Sequence, residues 1–222
     1  MRRPDESAEE KLPPNPMQTI VYTGAGLVSL VLGMKMAFET TRIVYMALAL
    51  ILGGVAGELL NIEGGILKLG SFLKRKFTRA GSETEFAYGF LNSSVLFCVG
   101  AMALVGSFKA GAEGNYELIL TKSVLDGFMA VVLSAAMGIG VAFSALTVLV
   151  YQGLLTLLSK TLQPLVTELI LGELTGTGGV LVFMIGINLL GLKKLKTANF
   201  LPSLILILLL LGLESLIPAG LF

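Results

Sequence analysis

The chain has 222 residues, of which 55% are hydrophobic, with a mean hydropathy of +0.86. Sixteen Lys and Arg against 15 Asp and Glu give a net charge of +1, which suggests no nucleic-acid partner. With no His and one cysteine, Cys98, the usual zinc and haem ligand sets, a Ser-His nucleophile and a disulfide are excluded, so neither a cofactor nor an enzyme is expected.

A soluble domain of this size could not hide so much apolar surface, and the expected fold is an all-α polytopic membrane protein. Residues 1–18, polar and proline-rich, read as a mobile cytoplasmic tail, and residues 19–222 as one transmembrane domain. Apolar stretches at 19–38, 43–60, 86–108, 124–137, 141–158, 177–190 and 200–217 give about seven spans in a bacterial inner membrane. The fourth, fifth and sixth look short, and the fourth and fifth form a short-helix hairpin. Its turn, Met137-Gly138-Ile139-Gly140, carries no polar side chain, so it reads either as backbone buried at depth or as a tight surface loop.

Between the second and third spans, residues 63–79 combine apolar Ile66, Leu67, Leu69, Phe72, Leu73 and Phe77 with Lys68, Lys74, Arg75, Lys76 and Arg79. This is the pattern of an amphipathic helix lying on an anionic cytoplasmic leaflet. Residues 161–173 read as a second, weaker interfacial segment. If 124–158 returns the chain to the side it left, 11 of the 16 cations, including Lys193, Lys194 and Lys196, lie with the N-terminus in the cytoplasm. An odd number of crossings there would place that lysine cluster opposite the basic connector near Lys74.

Glycines supply close packing between spans, and Gly53 with Gly57 forms a G-x-x-x-G pair. Packing inside the subunit is the plain reading of that pair, and a homodimer interface is the sharper one. Sliding the chain by 153 positions lays Gly26 and Gly33 of the first span over Gly179 and Gly186 of the sixth. Opposite orientations of related spans are the mark of an inverted repeat, a device of alternating-access transporters.

The stretches GELLNIEGG (57–65), SVLFCVGAMALVGS (94–107), TKSVLDGF (121–128), GIGVAFSA (138–145), VYQG (150–153) and GGVLVFMIGINLLGLKKLKTANFLP (178–202) resemble, in order and spacing, the bacterial membrane family called domain of unknown function 554. The resemblance covers about residues 20 to 217 and implies a multi-pass inner-membrane protein, with no activity attached. Members of that family usually open with a further apolar helix, joined by a short basic turn to the segment matching 19–38. Here the chain begins at what resembles that turn.

Polar groups at membrane depth are the functional candidates. Asp126, the only Asp outside the tail, stands one helical turn after Lys122; it is either an ion-binding group or half of an ion pair. Asn92, Ser93 and Ser94 lie early in the third span. Gln152 and Thr156 share a face of the fifth, with Ser144 two turns earlier, and Asn188 lies in the sixth. Each suits a polar solute or a helix-to-helix hydrogen bond. Lys35 matches Asn188 in the repeat and can also snorkel or pair with Glu39. Glu58, Asn61 and Glu63 either cap the second span or line a cytoplasmic mouth, and Asn199 before Pro202 reads as a helix-start residue. The expectation is a small, homo-oligomeric secondary transporter or channel subunit for an ion or small polar solute. A non-transporting scaffold or regulatory protein is the alternative. The expected partners are the bilayer, a second copy and the unidentified solute.

Overall fold

The computed structural model describes residues 16–77, 83–162 and 167–216, and the described residues are helical almost throughout. Among the described residues nine α-helices follow in order: α1 Pro16–Ala37, α2 Ile43–Leu59, α3 Ile62–Phe77, α4 Glu83–Val99, α5 Ala101–Phe108, α6 Glu117–Met137, α7 Gly140–Leu162, α8 Glu168–Leu189 and α9 Pro202–Leu216. A π turn, Lys109–Glu113, continues α5, and a 3-10 turn, Thr197–Phe200, precedes α9. Most of the tail expected at 1–18 lies outside the described residues.

Among the described residues, five helical segments are each long and apolar enough to cross a membrane, and two bent pairs, α2 with α3 and α4 with α5, raise the number to seven if each counts as one span. Leu59, Phe128, Val131 and Leu157 stand more than two-thirds exposed on the bundle surface, which water would penalise and lipid does not. The chain is a polytopic helical membrane protein.

Backbone contact between glycines sets the core. α1 and α8 run antiparallel, with Gly33 facing Gly179 and Gly26 facing Gly186. A Cβ on Gly33 would stand 2.7 Å from the Gly179 carbonyl oxygen, and one on Gly179 would stand 2.7 Å from that of Gly33. No residue with a side chain fits such a seam. α2 packs the same way on α9. A Cβ on Gly53 would stand 2.5 Å from the Ser203 nitrogen, and one on Gly57 would collide with the Asn199 carbonyl. The G-x-x-x-G face is therefore occupied inside the subunit, and that motif supplies no homodimer interface.

α6 and α7 have 21 and 23 residues, about 31 and 34 Å at 1.5 Å per residue, enough for full crossings rather than the short spans expected. Gly138, at φ +76°, makes the tight turn between them. Gly138 and Ile139 are exposed while Gly140 packs on the Phe86 backbone, so the apolar turn is a surface loop and no re-entrant break. At the other end of the hairpin, Gly111 lies on Thr156 and Ser159, so α6 leaves and α7 returns to one end of the bundle. The real breaks fall elsewhere. α3 leaves the axis of α2 by 58°, through Asn61 in the left-handed region at φ 48°, and α5 departs from α4 by 60° at Gly100. α8 begins at Glu168, so the second half of the expected interfacial segment 161–173 belongs to a 22-residue span.

These pairings define two ends. The basic end holds the α2–α3 junction, the start of α4 and the connector 190–196, with its three lysines. The opposite end holds the α1–α2 loop, the start of α8 and the end of α9. α3 packs across α4, with Gly70 against Ala87 and Leu73 beside Phe86 and Phe90, so Lys74, Arg75 and Lys76 belong to the basic end as well.

Candidate functional site

At the basic end, distant segments are tied by side-chain hydrogen bonds. Asn199, in the 3-10 turn, donates its Nδ2 to Glu58 at 2.6 Å and accepts the Glu63 backbone N–H at 2.7 Å. Lys196 pairs with the other oxygen of Glu58. Asn188 folds the connector back onto α8, donating to the Leu195 carbonyl at 2.9 Å and accepting the Leu195 N–H at 2.7 Å. Glu63, at the first turn of α3, is only 6% exposed, and its Oε2 accepts the Ala198 N–H at 3.3 Å. Burial raises the Glu63 carboxyl above the usual carboxylate range.

This network forms one wall of a cavity of about 560 Å³. Tyr22 of α1, Glu63 and Leu67 of α3, Glu85, Tyr88 and Asn92 of α4, Met137 of α6, and Asn188, Lys194 and Lys196 also line it. Most of the lining surface is apolar, with Met137 and Leu189 belonging to the main core, and the amides, carboxylates and lysines stand among it. A space this size suits a small organic solute, with amides and tyrosines to orient it and carboxylates and lysines to discriminate charge.

The opposite end is tied by a second carboxylate. Glu173 of α8, fully buried, accepts the Thr40 hydroxyl at 2.5 Å, the Thr41 N–H at 2.7 Å, the Thr41 hydroxyl at 3.0 Å and the Arg42 N–H at 2.9 Å. Arg42 is the N-cap residue of α2 and its side chain caps nothing there, so a carboxylate from another helix does that work and meets the positive end of the helix dipole. Arg42 itself reaches Glu214 at 3.0 Å, tying α2 to the end of α9.

Of the residues singled out from sequence, Asn92 and Asn188 line the cavity, and Glu58 stands behind its wall. Asn61 and Glu63, expected to cap or to line a mouth, line it. Ser93 is buried and returns its hydroxyl to the Gly89 carbonyl at 2.6 Å, a bond within its own helix. Ser94 reaches Thr147 across to α7 at 3.1 Å. Asp126 pairs with Lys122 on α6, away from the cavity. Gln152 is buried on α7 with its Nε2 unbonded, and Thr156 gives its carbonyl to Ser159. Lys35 is exposed on the outer side of α1 beside Val31 and Leu32. The structure does not bring Asp126, Gln152, Thr156 and Lys35 to the cavity. Glu85, Glu173, Tyr22 and Tyr88 were not among the candidates drawn from sequence. The Tyr88-x-x-x-Asn92 spacing, one turn on one helix face, was the signal available for Tyr88. Among the described residues, no cluster of three or more His, Cys, Asp or Glu is placed to hold a metal ion.

A family model for protein of unknown function DUF554 matches residues 8–211. Uncharacterized membrane protein YdfK of Bacillus subtilis (strain 168) is 30% identical over 193 residues, which are 85% of this chain and 81% of that protein. Uncharacterized protein YqgA of Escherichia coli (strain K12) is 27% identical over 184 residues, 82% of this chain and 78% of that protein. No solved structure matches. With the match running over nearly the whole chain, from before α1 into α9, this membrane protein belongs to the DUF554 family.

Proposed function

We propose that this chain is a small secondary transporter for a polar or charged organic solute, with its cavity facing the cytoplasm. One observation carries the reading: a cavity of about 560 Å³, with amides, tyrosines and charged side chains set among apolar lining, lies at one end of a membrane bundle whose other end is tied together by Glu173. Reciprocal glycine contacts support it. The repeat offset pairs position 26 with 179 and 33 with 186, whereas across the α1–α8 seam Gly26 faces Gly186 and Gly33 faces Gly179. A two-fold axis in the membrane plane, exchanging α1 with α8, produces that crossed pattern, and inverted repeats of this kind interconvert outward- and inward-open states. The lysines of α3 and of the connector 190–196 favour the cytoplasm for the basic end of a bacterial inner-membrane protein, with α3 against the anionic leaflet.

Solute flux into proteoliposomes, compared for wild type, Asn92→Ala and Asn188→Ala, tests the reading. Loss of flux in both variants, with folding retained, is expected. Wild-type flux in both removes the cavity from the pathway. No flux of any ion or solute, together with recovery of a stable hetero-complex through α3, favours a scaffold.

A further inference from the structure

The chemistry of the cavity wall narrows the solute. Glu63 is nine-tenths buried, yet among the described residues only one of its oxygens, Oε2, accepts a protein hydrogen bond, a long one of 3.3 Å. Its own backbone N–H is taken by Asn199 at 2.7 Å and is not available to the second oxygen. A buried carboxylate held this way has acceptor capacity that a ligand with donors and positive charge would fill.

The neighbouring charges point the same way. Lys196 is committed to Glu58, whose other oxygen is taken by Asn199. Lys194 is the other lining cation, and no ion pair of it with Glu63 is found among the described residues. Two aromatic side chains, Tyr22 and Tyr88, line the same space, and aromatic faces attract ammonium groups. The cavity, at about 560 Å³ against about 30 Å³ of liquid volume for a single water, has room for an organic solute.

We propose that the cavity binds an organic cation, its ammonium group held by the second oxygen of Glu63 beside Tyr22 and Tyr88, with its carbon skeleton toward Leu67 and Met137. The proposal names the solute class for the pathway above and rests on that reading for its biological role, but not for binding itself.

The test is calorimetric titration of the full chain in lipid nanodiscs with n-butylammonium chloride, sodium butyrate and n-butanol as probes. Butylammonium should bind saturably, and neither the anion nor the alcohol should compete. Glu63→Gln keeps the size and an acceptor for Ala198 and should weaken the amine by about tenfold or more. Tyr88→Leu, on a partly exposed face, should weaken it by a few-fold. Helical content measured on both variants separates lost binding from lost fold. Equal amine affinity in Glu63→Gln, tighter binding of butyrate, or no amine binding to wild type overturns the proposal. Amine binding without amine flux leaves it standing and sinks the transport reading, whereas flux of an anion without amine binding does the reverse.

Discussion

Glu63 and Glu173 are both buried carboxylates near the starts of helices, one at each end of the bundle, and they differ in what answers them. Glu173 accepts four hydrogen bonds from three consecutive residues at the start of α2. Glu63 accepts one, and lines an open cavity. A carboxylate whose lone pairs are filled by backbone N–H groups of a helix start is a structural pin, because any ligand would have to displace bonds already well made. One whose lone pairs are half filled and turned toward a cavity is available. Burial is common to the two, and residual bonding capacity is what distinguishes a clamp from a site.

The sharpest way to break the comparison is Glu173→Ala. It removes four hydrogen bonds to a fully buried carboxylate, while the freed donors of the exposed Thr41 and Arg42 can turn to solvent, and should cost roughly 2–4 kcal/mol. Thermal unfolding of the detergent-solubilised protein measures this, and a loss below about 1 kcal/mol would show that the end is not pinned there. Asn199→Ala should cost less, about 1–3 kcal/mol, by unlinking Glu58 from the α3 start. The same unfolding assay reads it, and solute flux should fall in parallel if the wall it braces belongs to the pathway.

The smallest effect concerns pH. Since the folded chain holds the Glu63 proton more tightly than the unfolded chain does, this group's contribution to stability is full below the ordinary carboxylate range. It is lost as pH rises through the raised folded value. The unfolding midpoint of wild type should therefore drop relative to Glu63→Gln on going from acid toward neutral pH. A difference independent of pH would mean that burial does not perturb Glu63.

The spans, their parity and the asparagines at 92 and 188 were legible because each leaves a local trace: an apolar run, a cluster of lysines, an amide where hydropathy is high. The lengths of α6 and α8 were underestimated for the same reason. Their first turns carry Glu117 and Lys122, and Glu168 and Glu173, which lower local hydropathy although the helix continues. Asp126 drew attention as the only Asp outside the tail, but Lys122 one turn away answers it. Glu173 drew none, since its partners stand more than 130 residues earlier in the chain.

The membrane as solvent, the helical class, the return of the 124–158 hairpin to its own end and the family were set by the sequence alone, because hydropathy, charge bias and motif order are sums over neighbouring residues. Which carboxylate is a pin and which lines a cavity was decided by tertiary structure. Glycine seams bring α1 to α8 and α2 to α9 at backbone contact, and only that approach determines which donors reach Glu173 and leave Glu63 half answered.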